Sequence, residues 1–204
     1  METGMSVSVA LQQRRAIRGF DTEHRMSDEE FNHLMEHVRL SPTANNIQNW
    51  RFVRVSDAAQ RQALRQVGWD QAQITDASEL IVFCYNEKAW SEEPERYWQD
   101  APKEVAEMVL GNFEPYFSQP GVERDDGLRS CSMAAMSTML LATEMGYDSC
   151  PMTGLDFNAA SKILELPVNH GIAMMVAIGK RTHEAGGRPG QLPLNELVVE
   201  NSFA

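Results

Sequence analysis

With 204 residues and 43% hydrophobic content, the chain is long enough to bury one sizeable core as a single domain over residues 1–204. A formal net charge of -11 excludes broad nucleic-acid or anionic-membrane binding, which needs extended positive surface. No apolar run reaches the roughly 18 residues of a membrane span, and the start Met1-Glu2-Thr3-Gly4 lacks the basic and apolar regions of a signal peptide, so a cytoplasmic protein is expected.

The first element expected is a helix over residues 7–18, and it ends in a cationic cluster, Arg14-Arg15-Ala16-Ile17-Arg18-Gly19-Phe20. On a helix, residues three and four apart share a face, so Arg14 and Arg15 would crowd Arg18 and repel it. A bound phosphate would offset that repulsion, and arginine suits the role because its planar fork gives two parallel hydrogen bonds and keeps its charge. The alternative is a set of solvated arginines on an exposed helix.

Ser27-Asp28-Glu29-Glu30 is a capping box that starts a second helix, with Phe31, Leu34, Met35 and Val38 on its apolar face and an end near Ser41-Pro42. His33 and His37 have the four-residue spacing of a metal pair but point away from that face toward solvent, so no metal site is expected. The polar stretch from Ser41 to Trp50 then joins helix to strand. Its Asn and Gln side chains carry both donors and acceptors and could read a ring edge such as that of a flavin or a base. Turn chemistry and helix termination at Pro42 explain the first half of the loop equally well.

Residues 51–55 alternate like a half-buried strand, and Leu80 to Tyr85 is a continuous apolar run like a fully buried one. Residues 86–126 carry Trp90, Tyr97, Trp98, Phe113, Tyr116 and Phe117 between polar linkers, which suits a lid and specificity region, or aromatics that anchor surface helices. Leu128 to Met145 is apolar nearly all round, as expected of a helix buried on most sides at a dimer interface, with its methionines serving core and interface packing. Gly146 to Gly154 reads as a glycine-bounded turn, and Ala173 to Ile178 as a third strand. Cys84, Cys131 and Cys150 are odd in number and widely spaced, which fits reduced thiols. Neither Cys150, without a basic sequence neighbour, nor Ser149, without a histidine, is a convincing nucleophile.

Taken together, these segments resemble the FMN-dependent nitroreductase family along almost the whole chain. Arg14 to Phe20 looks like the family's phosphate-binding Arg-Arg-Ser-x-Arg-x-Phe. Ser41-Pro42-Thr43-Ala44-Asn45-Asn46-Ile47-Gln48-Asn49-Trp50-Arg51-Phe52 is similar to its Ala-Pro-Ser-x-x-Asn-x-Gln-Pro-Trp-x-Phe block. Gly146 to Asp156 resembles the stretch after the family's central helix, and Arg188 to Glu196 its C-terminal block.

The resemblance implies an α+β homodimer: a three-layer αβα sandwich around a mixed, mostly antiparallel sheet, completed by a C-terminal strand, Leu197 to Glu200, from the partner subunit. FMN would lie at the interface. Arg14, Arg15 and Arg18 would hold its phosphate, with Ala16 also at that site, and Arg188 would replace a missing Lys-x-Arg pair. Pro42, Thr43, Ala44 and Asn46 would line the ring from the partner chain, with Gln48 also among the cofactor-binding residues, Pro151, Met152, Thr153 and Gly154 would run along it, and Asp70 and Gln73 would reach its pyrimidine edge. Ala16, Asn49 and Thr153 depart from the usual serine, proline and glutamate.

By the same resemblance, NADH or NADPH would reduce the flavin and a small-molecule acceptor, a nitroaromatic or quinone, would then oxidise it by a ping-pong mechanism with no catalytic side chain. The alternatives are a flavin-binding sensor or carrier without turnover, or a flavin-fragmenting or reductive dehalogenase branch of the same fold. For the dehalogenase, Glu93, Tyr97 and Lys103 have the wrong spacing.

Overall fold

Alternation along two long strands sets the architecture in the computed structural model, which describes residues 4–203. The reading of Met1 to Thr3 as part of a start without a leader lies outside the described residues. The strands are β1 (Trp50–Arg54), β2 (Glu79–Asn86), β3 (Asp148–Met152) and β4 (His170–Gly179), in the order β1-β2-β4-β3 with every neighbouring pair antiparallel. Along β2, Leu80, Val82 and Cys84 face one core while Ile81, Phe83 and Tyr85 face another, the period-two alternation of a strand covered on both sides.

The helices are α1 (Val7–Gln13), α2 (Asp28–Val38), α3 (Ala58–Val67), α4 (Gln73–Asp76), α5 (Lys103–Leu110), α6 (Phe113–Phe117), α7 (Val122–Glu144), α8 (Phe157–Ile163) and α9 (Leu194–Leu197). Leu34 and Val38 of α2 and Cys131, Ala134, Ala135, Met139 and Ala142 of α7 cover one face of the sheet. Leu64, Ile74 and Ala160 of α3, α4 and α8 cover the other, giving the αβα sandwich. A parallel bridge between Ala16 and Ser149 at the β3 edge adds the mixed character. The capping box at Ser27 forms with both of its bonds, so α2 starts where the sequence places it.

Three expectations need correction. Helix α1 ends at Gln13 and not at residue 18. Arg14 turns extended, Ile17 donates its N–H to the Ser149 carbonyl at 3.0 Å, and Ile17 and Phe20 are buried; β-edge bonds and apolar burial together outweigh helical propensity. The segment from Gly146 to Gly154 contains strand β3, with Pro151 in an edge strand, where the missing N–H is tolerated. Helix α7 begins at Val122, and its core face is built of small residues while Met133 is exposed and Met136 and Met145 are half-buried. Of the methionine stripe, only Met139 is buried.

Candidate functional site

Because Arg14 to Phe20 runs extended beside β3, its arginines line a cavity of about 540 Å³ together with Pro151 and the stretch from His183 to Pro189. Arg188 reaches across the end of α1, its Nη2 donating to the Leu11 carbonyl at 2.8 Å and the Arg14 carbonyl at 3.2 Å. Burial, and then the charges of Arg188 and Arg15, lower the Arg14 pKa. Among the described residues, Arg14, Arg15, Arg18 and Arg188 have no carboxylate partner, and the buried Nε atoms of Arg14 and Arg15 have no hydrogen-bond acceptor. Glu184, the one acid on the cavity wall, is paired with Arg181 at 3.0 Å. Orphaned guanidinium donors and mutual repulsion are what a dianionic phosphate would relieve.

Pro151 carries this wall into the β3 edge and on to Gly154. A Cβ added at Gly154 would meet the Trp69 ring at 2.6 Å, so only glycine lets that indole lie so close. Gln71 Nε2 donates to the Gly154 carbonyl at 2.9 Å. Gln73 is buried, with its Nε2 donating to Gln71 Oε1 at 3.2 Å and approaching Cys150 Sγ at 3.8 Å. Asp70 faces solvent and pairs with Arg65 at 2.6 Å. The residues of this loop that touch Gly154 are therefore Trp69 and Gln71, which the sequence reading missed; their position next to Asp70, one on each side, is the available signal. Met152 is buried in the core, whereas Thr153 is exposed.

The polar loop lies elsewhere. Its residues Pro42, Thr43, Ala44, Asn46 and Gln48 are absent from the arginine cavity wall, so one chain does not bring the two features together. Asn45, Asn46 and Gln48 have φ of 49°, 55° and 43°, left-handed values that asparagine tolerates best among residues with a side chain. The Thr43 hydroxyl accepts from the Gln48 N–H at 3.0 Å, Asn46 Nδ2 donates to the Tyr97 carbonyl at 2.8 Å, and Trp98 Nε1 donates to the Asn45 carbonyl at 3.0 Å. Beneath the loop, Ile47 packs with Tyr97, Phe113 and Phe117 in a satellite core. These aromatics of the 86–126 segment anchor it to the loop.

A model described as the Nitroreductase family matches residues 11–180. The chain belongs to the nitroreductase family. Among its relatives, Protein DrgA of Synechocystis sp. is 43% identical over 195 residues, covering 93% of each chain. MhqN of Bacillus subtilis, which carries the name of a candidate NAD(P)H nitroreductase, is 28% identical over 91% of this chain and 94% of its own. The crystal structure of YdfN, a candidate nitroreductase of Bacillus subtilis, superposes with a TM-score of 0.87 at 27% identity, covering 94% of this chain and 97% of its own. An Exiguobacterium sibiricum structure in complex with FMN matches with the same TM-score of 0.87 over 97% and 98% of the two chains; at 24% identity that likeness is one of fold.

In this nitroreductase, the cysteines are free and buried. Burial pushes the Cys84 thiol up to about 12 and raises Cys150, although Arg18 and Gln73 pull Cys150 the other way. Among the described residues there is no cluster of three or more metal-ligating side chains, and no helix is long and apolar enough to cross a membrane. His37 is exposed and bonds through Nδ1 to the His33 carbonyl.

Proposed function

We propose that this nitroreductase is an FMN-dependent NAD(P)H oxidoreductase of the cytoplasm that reduces nitroaromatics, quinones or similar electron-poor small molecules. The observation that carries the reading is the convergence of Arg14, Arg15 and Arg188, without carboxylate partners among the described residues and with the buried Nε donors of Arg14 and Arg15 unanswered, on a cavity bounded by Pro151. FMN fits it: a phosphate answers the guanidinium donors, and Pro151 to Gly154 supplies a surface for the ring.

Bound FMN supplies the redox chemistry, taking reducing equivalents from NADH or NADPH and passing them to an oxidised acceptor in the same cleft, hence ping-pong kinetics. The chain itself binds and orients. Arg14, Arg15 and Arg18, aided by Arg188, hold the phosphate, and Ala16 lines the same cavity. Gln71 fixes the Gly154 carbonyl, and Gln73 sits against Cys150. Asp70 takes part only by leaving Arg65.

The Pro42 to Gln48 loop completes the site from a second subunit. Support for a homodimer lies on the α1 and α7 face, where Met5, Val7, Leu40, Pro42, Leu140 and Leu141 line an apolar groove of about 410 Å³ and Val7 and Leu40 are exposed. Leu197, Val198 and Val199 are exposed as well, which suits a C-terminal strand that crosses to the partner. Anchored to the loop through Asn46 and Trp98, the 86–126 segment would cover the cleft and select acceptors.

The test is an absorption spectrum of the purified protein, followed by anaerobic addition of NADH or NADPH. A flavin spectrum bleached by either donor supports the oxidoreductase. A flavin that neither donor bleaches would instead mark a sensor or carrier.

A further inference from the structure

Beside the flavin cavity lies a second, smaller one of about 320 Å³, between the end of α1 and the start of β3. Arg14 and Arg15 form its wall toward the flavin cavity, while Lys180, Arg181, Asp148 and Ser149 form the remainder used below. Asp148 and Arg181 pair with each other at 3.4 Å, and Asp148 also accepts from the Arg181 N–H at 3.3 Å. Arg14, Arg15 and Lys180 are left without a carboxylate partner among the described residues. Lys180 is held over the Tyr147 ring, its Nζ 3.7 Å from the centroid, and spends one donor on the Gly146 carbonyl at 2.6 Å. Two of its three donors remain.

Ser149 supplies an independent sign. It is 1% exposed, and its hydroxyl has no partner among the described residues. Its strand register sets it opposite Ile178, whose side chain faces the α2 and α7 layer. Thr143 and Tyr147 line this cavity from that same layer, so the Ser149 hydroxyl turns toward the cavity. A buried hydroxyl without a partner is destabilising unless something in the cavity answers it.

We propose that this cavity is a second anion site, for an inorganic phosphate or diphosphate held by Lys180, Ser149 and the guanidinium edges of Arg14 and Arg15. Three cations and a hydroxyl donor around a small polar volume match tetrahedral oxyanion chemistry. The site's separateness rests on the assignment of FMN to the larger cavity. Sharing Arg14 and Arg15 places the two anions on opposite sides of one cationic wall.

The experiment titrates inorganic diphosphate into the FMN-saturated protein by calorimetry, with parallel titrations of inorganic phosphate and 2′-AMP to separate a free ion from a nucleotide phosphate. One site per chain is expected, with FMN retained and with the inorganic anion preferred to 2′-AMP. Ser149→Ala and Lys180→Met should each weaken binding by roughly tenfold or more while FMN content stays unchanged. Ser149→Ala removes a hydroxyl that has no protein partner among the described residues, so it decides the matter even if Lys180→Met fails to fold. Arg18→Ala should lose FMN yet keep the diphosphate site. No binding, binding only when FMN is displaced, or binding indifferent to Ser149 overturns the proposal. A protein that never binds FMN but shows the Ser149-dependent titration would instead fault the flavin reading alone.

Discussion

The Tyr85 side chain packs against Gly127, so close that a Cβ added there would fall 2.4 Å from Tyr85 Cδ2 and 2.5 Å from Cγ. A Cβ at Gly171 would meet the same ring at 2.4 Å from the other end, so the ring is fixed between α7 and β4. On helix propensity alone, Gly127→Ala should gain about 1 kcal/mol. Overpacking against a ring that cannot turn away costs about 1–3 kcal/mol. We expect the variant to be less stable, with a lower urea midpoint; a higher midpoint would show that Tyr85 can move.

Arg61 is 8% exposed, and its guanidinium donates to three backbone carbonyls: Val55 at 2.7 Å, Ala77 at 2.5 Å and Ser78 at 2.9 Å. Burial lowers its pKa, with Glu79 acting the other way. Its role is to satisfy the end of β1 and the turn between α4 and β2. Arg61→Met keeps the stem but strands those carbonyls, and should cost about 3 kcal/mol or more in urea unfolding. A loss below about 1 kcal/mol would mean that water replaces the guanidinium.

Acid sensitivity should pass partly through Glu30. The Ser27 N–H and then the Tyr147 hydroxyl, donating at 2.8 Å, hold its pKa below the usual carboxylate value. Because the folded pKa is depressed, the contribution is present above the unfolded pKa of 4.5 and disappears as pH falls through the folded value. Melting temperatures from pH 7 to pH 3 should therefore fall less steeply for Glu30→Gln than for the natural chain. Parallel curves would remove Glu30 from the acid response.

Local signals were legible where one force dominated. The Ser27 box places α2, and the apolar run from Leu80 to Tyr85 reads as a strand covered on both faces because both faces are covered. Strand β3 was hidden because Asp148-Ser149-Cys150-Pro151-Met152 has no alternation and holds a proline, and its strand character comes from pairing with β4. The first residues of α7, from Val122 to Gly127, are polar enough to read as linker; the helix there rests on packing that pattern does not reveal. Helical spacing brought Arg14, Arg15 and Arg18 together for the wrong reason. The extended backbone gathers Arg14 and Arg15 with Arg188, a neighbour 174 residues away that no local period could supply.

The central claim is that this arginine wall holds the phosphate of FMN. The most direct test is the FMN-to-protein ratio of purified Arg14→Ala/Arg18→Ala against the unaltered chain, each with a circular dichroism spectrum. The account predicts a ratio near one for the unaltered protein and a loss of roughly 90% or more for the variant, since two charge-assisted contacts are removed, with the folded spectrum unchanged. A folded variant that keeps its full complement of FMN would contradict it.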